Sequence, residues 1–263
     1  MKLKTRIHER MATNSWPAYG GLFFLNSPLA VELVVGSCEL DFMAVDLQHG
    51  AISPHDSSHL IRAMAAANPM TTAFVRIPTA DKHWFEQSLD AGYVGVVVPC
   101  VESAEEARAL VAMAYYPPKG DRSYAGTIRA ILYDDYHANI NDHLILLPQI
   151  ESKKGLENAE AIVKQDGVSG VLLGPGDLSL SCGWPIATAW SHPPFLEAVK
   201  RVVGTCQDTG KLAAIVVLGT EQAQRAKEAG FHLISHVTDA VFRTQVIPQI
   251  NEGLGQLRGE TGS

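Results

Sequence analysis

The sequence has few cysteines and no long apolar run. Cys38, Cys100, Cys182 and Cys206 are the only four cysteines among 263 residues, too scattered for a CxxC pair and too few for a disulfide framework. We therefore expect reduced, buried thiols. No apolar stretch approaches the roughly twenty residues of a membrane span, and the first residues, MKLKTRIHERMATNSW, contain no apolar segment of a secretion signal. These absences predict a cytoplasmic protein that has no membrane partner.

Concentrated positive charge is also missing. The chain has 21 Lys and Arg against 28 Asp and Glu, which gives a net charge of −7, and no run of basic residues is longer than two. A protein that binds nucleic acid needs a basic surface to neutralise phosphates. We therefore expect no nucleic-acid partner, and we expect the substrate to be a small molecule.

What the sequence does contain is a repeated pattern of strand, loop and helix. Eight short apolar runs suit buried parallel strands: GLFFL, DFMAVD, TAFVRIP, VGVVVP, LILLPQI, GVLLGP, LAAIVVL and HLISHV. Segments with helical periodicity lie between most of them, and several end in Gly or Asn. The pattern predicts an α/β fold, a (β/α)8 TIM barrel, as a single domain over residues 1–263 with its core at about 19–250. A doubly wound sheet, the alternative, would usually show fewer strands and a Gly-rich turn after the first.

Two longer segments interrupt this pattern, at residues 115–142 and 179–194. Segments longer than about fifteen residues without a clear helix or strand are often functional. We therefore expect both of them to wall a site.

Polar residues stand at the ends of several predicted strands, where TIM barrels carry their active sites. They are Asp46 and His49 after the second strand, Arg76 at the end of the third, Gln149 and Glu151 after the fifth, and Asp177 after the sixth. The last two carboxylates lie 26 residues apart on consecutive strands, and with the neighbouring glutamine they form an oxygen-rich set that suits Mg²⁺ or Mn²⁺. The sequence therefore predicts a divalent-metal site formed by Glu151 and Asp177.

Each of these residues also has a structural interpretation. Asp177 could cap a short helix, Asp46 could form a structural pair, and His49 could be a turn residue before Gly50. Arg76 could form an internal salt bridge, because a guanidinium that ends an apolar strand must meet an anion.

The quoted residues belong to longer stretches that occur in order between about residues 20 and 250. These stretches are DFMAVDLQHG, FVRIP, LDAGYVGVVVPCVESAEEARALVAMAYYPPKGDRS, LLPQIES and GVSGVLLGPGDLSLSCG. Together they resemble the HpcH/HpaI aldolase family, the metal-dependent class II pyruvate aldolases. The resemblance implies a (β/α)8 barrel in a homo-hexamer, built as a trimer of dimers in which the last helix, TDAVFRTQVIPQI, is exchanged. It also implies a lyase that uses Mg²⁺, Mn²⁺ or Co²⁺ and reversibly cleaves 4-hydroxy-2-oxo acids to pyruvate and an aldehyde, through a metal-bound pyruvate enolate.

The resemblance also implies roles for residues of the metal and pyruvate site. Glu151 and Asp177 correspond to the metal ligands, and Gln149 lies beside them as a substrate-binding residue. Arg76 corresponds to the residue at the pyruvate carbonyl oxygen, which both binds substrate and takes part in catalysis.

Further roles follow for proton transfer and for the substrate carboxylate. His49 corresponds to the residue that assists proton transfer. Asp46 and Asp90 correspond to the acids that hold this histidine, the second of them from across a subunit boundary. Gly174 and Gly176 correspond to positions whose backbone faces the pyruvate carboxylate, near a helix N-terminus that favours an anion.

The chain departs from the family pattern at Gln48, where the family usually has Glu, and at Ser123, where it usually has Gly. Gln48 puts the basicity of the histidine and the aldehyde preference in question, and we expect the segment 115–142 to select the aldehyde.

Two other functions stay open. One is a citramalyl- or malyl-CoA-type lyase, for which the only basic cluster that could bind the CoA tail is Lys119, Arg122 and Arg129. The other is a catalytically silent barrel that binds a small acid.

Overall fold

Eight parallel strands form a closed barrel in which each strand pairs with the next and β8 pairs with β1. The strands are β1 (Ala18–Phe23), β2 (Phe42–Asp46), β3 (Thr72–Arg76), β4 (Gly95–Val98), β5 (Ile145–Ile150), β6 (Gly170–Leu173), β7 (Leu212–Val216) and β8 (Leu233–Thr238). The structure is a computed structural model that describes residues 3–126, 128–133, 135–239 and 241–258. The predicted TIM barrel is confirmed; residues 1–2 and 259–263 of the predicted single domain lie outside the described residues.

Helices follow the strands around the barrel. They are α1 (Arg6–Thr13), α2 (Pro28–Ser37), α3 (Pro54–Ala67), α4 (Lys82–Ala91), α5 (Ala104–Ala114), α6 (Tyr136–His143), α7 (Lys153–Glu157), α8 (Ala159–Lys164), α9 (Pro175–Cys182), α10 (Pro193–Asp208), α11 (Gly219–Glu228) and α12 (Ile247–Arg258). In the described part of the chain, none of them is long and apolar enough to span a membrane.

The first helix after each of the first five strands begins at a capping side chain. Each cap accepts a hydrogen bond from a backbone N–H of the first turn, and the caps are Ser27, Ser53, Asp81, Ser103 and Ser152. α9 differs, because its N-cap is Gly174 and no side chain caps it. The amino end of α9 therefore keeps backbone N–H groups that a ligand can use.

The amino end of the barrel is closed by α1, which the sequence pattern did not predict. Ile7 is fully buried and packs with interior residues of the barrel such as Phe42 and Phe74. Its N–H donates to Thr72 Oγ1 at 3.2 Å, and the hydroxyls of Thr5 and Thr72 lie 2.7 Å apart. Sequence periodicity missed this helix because Ile7 is its one buried residue.

Two sequence-based expectations need correction. All four cysteines are free, but Cys206 alone is buried, whereas Cys38 and Cys100 are exposed and Cys182 is half-buried. The exposed two follow the ends of α2 and β4, where the chain leaves the core. The sequence predicts the last helix over 238–250, but Thr238 is the final residue of β8 and residue 240 lies outside the described residues. The helical region begins with a π-helical turn at Phe242–Val246 and continues into α12.

Candidate active site

A cavity of about 260 Å³ opens at the carboxyl ends of the strands. Five predicted site residues line it together: Arg76, Gln149, Gly174, Gly176 and Asp177. They come from the ends of β3, β5 and β6 and from the first turn of α9. The barrel therefore brings together side chains that are distant in sequence, at the end where TIM barrels carry their chemistry.

Glu151 is held by three hydrogen bonds just after β5. Its Oε1 accepts from the backbone N–H of Cys100 at 2.7 Å and from the Cys100 thiol at 3.3 Å, and its Oε2 accepts from Gln149 Nε2. Burial raises the pKa of Glu151 and the charge of Asp177 adds to the rise, whereas the Cys100 hydrogen bonds and the charge of Arg76 oppose it. Two carboxylates are thus close enough to repel each other, which favours a cation between them.

Asp177 is the third residue of α9 and its side chain is exposed. The helix-cap interpretation is wrong, because the N-cap position belongs to Gly174. No residue in the described ranges makes a hydrogen bond or an ion pair with the Asp177 carboxylate, so both of its oxygens remain available to a ligand.

The donor set fits a hard divalent cation. Glu151 and Asp177 supply carboxylate oxygens, and Gln149 Oε1 is buried without a hydrogen-bond partner. A Cβ on Gly174 would lie 2.8 Å from Glu151 Cβ and 2.9 Å from Gln149 Nε2, so glycine leaves the room that these side chains need. No cluster of three His, Cys, Asp or Glu residues suited to a metal occurs within the described ranges. Two protein carboxylates with further positions left for water and substrate agree with how Mg²⁺ is usually bound.

Arg76 both lines the cavity and forms a buried ion pair. Its Nε donates to Asp46 Oδ1 at 3.0 Å and its Nη2 to Asp46 Oδ2 at 2.5 Å. Asp46 is fully buried and also accepts from the backbone N–H of Gln48 at 3.0 Å and of His49 at 3.5 Å. The salt-bridge interpretation of Arg76 is therefore confirmed, and its place in the cavity leaves the functional role open as a prediction. Within one chain, Asp46 contacts the Arg76 guanidinium and the His49 backbone, not the His49 imidazole.

His49 and Asp90 are not brought together within one chain. His49 is exposed in the turn after β2, and its imidazole makes no hydrogen bond with any residue that the structure describes. Asp90 lies near the end of α4 that leads into β4, where its Oδ1 accepts from Arg122 Nη2 at 2.7 Å. Their roles in proton transfer remain predictions.

Cys100 is the site residue that sequence reasoning missed. It follows the end of β4 in a left-handed conformation, with φ of 57°, and this aims its N–H at Glu151. Partial burial raises the pKa of the Cys100 thiol to about 11, and the hydrogen bond to Glu151 and the charges of Glu151 and Asp177 add to the rise. Its place at the end of a strand was a usable signal, but its conformation could not be read from the sequence.

The two long segments, residues 115–142 and 179–194, lie in different parts of the fold. Residues 179–194 do border the cavity, through Ile186, Ala189 and Trp190, so that expectation is confirmed. The expectation for residues 115–142 is wrong within one chain. None of their described members lines the cavity, and Tyr133 Oη donates instead to Gly92 O at 2.9 Å, beyond the far end of α4.

The basic cluster considered for a CoA tail is engaged elsewhere. Lys119 Nζ lies 3.9 Å from the centre of the Tyr115 ring, Arg122 pairs with Asp90, and Arg129 Nη1 donates to Ala91 O at 3.1 Å. None of the three lines the cavity, which argues against the CoA-lyase alternative.

Comparison with known proteins gives one family. The family model described as HpcH/HpaI aldolase/citrate lyase matches residues 21–242. A 5-keto-4-deoxy-D-glucarate aldolase of Klebsiella pneumoniae is 33% identical over 225 residues, which are 84% of this chain and 86% of that protein. A 2-keto-3-deoxy-L-rhamnonate aldolase of the same organism is 30% identical over 233 residues, 86% of this chain and 85% of that protein.

A solved structure agrees with this result. The crystal structure of an HpcH/HpaI aldolase/citrate lyase family protein from Burkholderia cenocepacia is similar with a TM-score of 0.86 and 27% identity. The match covers 97% of this chain and 100% of that one.

Proposed function

Because the chain belongs to the HpcH/HpaI aldolase/citrate lyase family, we propose that it cleaves a 4-hydroxy-2-oxo acid reversibly to pyruvate and an aldehyde in the cavity at the carboxyl end of the barrel. The enzyme is a class II aldolase, a carbon–carbon lyase. The observation that carries the assignment of the site is that Arg76, Gln149 and Asp177 share one cavity beside the buried carboxylate of Glu151.

Glu151 and Asp177 are the proposed protein ligands of a divalent ion, Mg²⁺, Mn²⁺ or Co²⁺, all of which suit oxygen donors. When bound, such an ion supplies Lewis-acid polarisation of the 2-oxo group. The hydrogen bonds from Cys100 and Gln149 fix the orientation of the Glu151 carboxylate, and this kind of support raises the affinity of a metal site.

Arg76 stabilises the negative charge that develops on the enolate oxygen of pyruvate. Asp46 occupies its Nε and Nη2, whereas its Nη1 makes no hydrogen bond with a described residue and is available to substrate. A guanidinium that is already oriented needs little reorganisation as the charge develops, and this is the main source of such stabilisation.

The amino end of α9 is the proposed seat of the substrate carboxylate. Backbone N–H groups at an uncapped helix start attract an anion, and Gly174 and Gly176 both line the cavity there. A Cβ on Gly176 would meet no atom within 4 Å, so the space beside this position is open.

His49 is the proposed base for the C4 hydroxyl, because its exposed imidazole lies in the turn after β2 and histidine is the side chain that most often serves as a general base. Asp90 would reach it from a neighbouring subunit. The change His49→Ala should slow aldol cleavage by about 100- to 10,000-fold, the usual loss for an acid–base group.

We also propose that each chain is a single-domain subunit of a homo-hexamer, a trimer of dimers with exchanged α12. This helix has no buried residue, and it exposes Ile247, Ile250, Leu254 and Leu257. Such an apolar face is rarely left to solvent, and exchange between subunits would cover it. Light scattering at micromolar concentration should give six subunits, and a monomer would contradict the proposal.

Proton exchange tests the reaction without knowledge of the aldehyde. Pyruvate in D₂O should lose its methyl proton signal in the presence of the enzyme and Mg²⁺, Mn²⁺ or Co²⁺, because reversible enolate formation exchanges these protons. Removal of the metal with EDTA should stop the loss. Absence of exchange with all three ions would reject the pyruvate-aldolase assignment, and release of pyruvate from a panel of 4-hydroxy-2-oxo acids would confirm it.

A further inference from the structure

Two histidines of α3 face each other on the surface of the protein. His55 and His59 are four residues apart, and both are exposed. Their Nε2 atoms lie 3.4 Å apart, and their ring centres lie 5.0 Å apart with the ring planes at 80°. Residues at this spacing are neighbours on a helix surface, so α3 itself brings the two imidazoles together.

The helix that carries the pair is held in place at its start and along its inner face. Ser53 and Asp56 cap the first turn of α3. The inner face is buried in the core through Leu60, Ile61 and Met64. The backbone under the two histidines is therefore fixed before any ligand binds, and this lowers the entropy lost when both side chains close around an ion.

The distance between the two nitrogens suits a metal ion better than a hydrogen bond. Hydrogen bonds from N–H donors are normally about 2.7 to 3.2 Å long, so the 3.4 Å contact is a weak one. Zinc–imidazole bonds are about 2.0 to 2.1 Å long, and two of them at the tetrahedral angle separate their nitrogens by about 3.3 to 3.4 Å. The Nε2 atoms thus already lie at the separation that a tetrahedral ion requires.

The stretch HDSSH, residues 55–59, also places an acid between the two histidines, as in zinc hydrolases, where a glutamate at that position is the base. Asp56 is not free for this role. Its Oδ2 accepts from the Ser53 hydroxyl at 2.6 Å and from the Ser53 N–H at 3.2 Å. Within the described ranges, no third His, Cys, Asp or Glu joins the pair. We therefore expect the pair to bind an ion without hydrolytic activity.

We propose that His55 and His59 form a second metal site, which binds Cu²⁺, Ni²⁺ or Zn²⁺ through the two Nε2 atoms and completes the coordination with water. Imidazole nitrogen suits these ions, whereas carboxylate oxygen suits Mg²⁺ and Mn²⁺. The pair should therefore ignore Mg²⁺, which the oxygen donors of Glu151 and Asp177 accept. This site is independent of the aldolase reaction.

Two positive charges near the pair limit its affinity. The exposed Arg62 has its Nη1 3.2 Å from Ser58 Oγ and 3.5 Å from His59 Nδ1. The amino end of α3, where His55 lies, is the positive end of the helix dipole. Salt screens exposed charges over about 8 Å at physiological ionic strength, so neither prevents binding. The pair should still bind less tightly than a closed zinc site with four protein ligands.

Calorimetric titration of the full-length protein tests the proposal. In buffer that contains saturating Mg²⁺, wild type should bind Cu²⁺, Ni²⁺ and Zn²⁺, and Cu²⁺ should bind most tightly of the three. His55→Ala and His59→Ala should each lower the affinity by about 100-fold or more, because the second imidazole of a chelating pair acts at a high effective concentration. His83→Ala is the control and should bind as wild type, because His83 is exposed on α4 and has no histidine one turn away.

Two further measurements identify the ligands without reference to activity. Electron paramagnetic resonance of bound Cu²⁺ should show hyperfine splitting from two nitrogens in wild type and from fewer in either variant. Ni²⁺ at about 100 times its dissociation constant should raise the melting temperature by about 5 °C in wild type, because the paired site exists only in the folded chain. This rise should be absent in His55→Ala and His59→Ala and present in His83→Ala.

Three results would overturn the proposal. One is that wild type and both variants bind the ions identically, which would assign binding to Glu151 and Asp177. Another is a loss of only about twofold in each variant, which would mean that the two histidines bind ions separately and not as a chelate. The third is an equal loss in His83→Ala, which would assign binding to scattered surface histidines.

Discussion

The two ends of the barrel differ in whether their polar side chains have hydrogen-bond partners. At the amino end, the buried polar side chains where α1 meets the strands are paired within the chain. Asp41, for example, accepts from Arg10 Nε at 2.8 Å and from the Tyr19 N–H at 2.9 Å, and the hydroxyls of Thr5 and Thr72 pair with each other. These contacts join α1 and the loop before β2 to the strands, so this end contributes to stability.

At the carboxyl end, several polar side chains lack hydrogen-bond partners among the described residues. Gln149 Oε1 is buried without a partner, and the side chains of Asp177 and His49 make no hydrogen bond with a described residue. A buried unpaired acceptor is unfavourable unless something fills the place. The same barrel thus pairs its polar side chains where α1 closes it and leaves polar side chains free for a ligand at the other end.

The largest effect should come from the two carboxylates. Glu151→Gln or Asp177→Asn should reduce pyruvate methyl exchange by about 1,000-fold or more, because the Lewis acid that each one holds contributes several kcal/mol to charge stabilisation. Calorimetric titration should show weakened binding of Mn²⁺, while the melting temperature of the metal-free protein does not fall. Glu160→Gln, at an exposed carboxylate paired with Lys164, is the matched control. Full exchange after exhaustive treatment with EDTA would contradict the prediction.

Arg76→Ala should cut the exchange rate by about 100-fold, as expected when one oriented donor to an oxyanion is removed. It should also destabilise the fold by about 3 to 5 kcal/mol, because Asp46 is fully buried and would lose its partner. The double variant Arg76→Ala with Asp46→Asn should recover stability but not exchange. If both recover together, the role of Arg76 is structural only.

At the amino end we expect the opposite result, a loss of stability without a loss of activity. Asp41→Ala should lower the free energy of unfolding by about 1.5 to 3 kcal/mol, the range for hydrogen bonds to a charged group, and its partner Arg10 is 31% exposed, which favours the lower part of that range. Urea denaturation measures this loss. The exchange rate under native conditions should not change, and a fall in that rate would show that the two ends are coupled.

The smallest effect concerns pH. Burial lowers the pKa of His8 and of His232 below 6.5, and both lie toward the amino end. A histidine whose folded pKa is lowered binds fewer protons folded than unfolded, so its contribution to stability is present above pH 6.5 and is lost as the pH falls below it. The melting temperature of wild type should therefore drop between pH 7.5 and 5, and less so for His8→Gln. The exposed His83→Gln is the control and should retain the full drop.

The sequence predicted the barrel well because strand burial is a local property. Each of the eight apolar runs became a strand, and Arg76, Gln149, Glu151 and Asp177 could be placed at one end because all strands are parallel. What it could not predict depends on contacts between distant segments. The sequence indicated a salt bridge for Arg76 and a structural pair for Asp46, but not that each is the other's partner, because the ion pair joins two strands.

Other features depend on backbone geometry or on the neighbours of a segment. The left-handed turn at Cys100 follows from the loop around it, and the place of residues 115–142 follows from their packing against α4. The four glycines and prolines of residues 115–126 indicated a loop, but they did not indicate on which side of the barrel it would lie.

A mutation in the codon of Gly174 can disturb this site directly. Every missense change of a glycine codon adds a side chain, and any Cβ at this position would come within 3.0 Å of both Glu151 and Gln149. The eight strands and the helices around them do not depend on that contact. A gene copy released from selection for the reaction should therefore lose catalysis at this codon early, and it should still encode a folded barrel that can acquire a different chemistry.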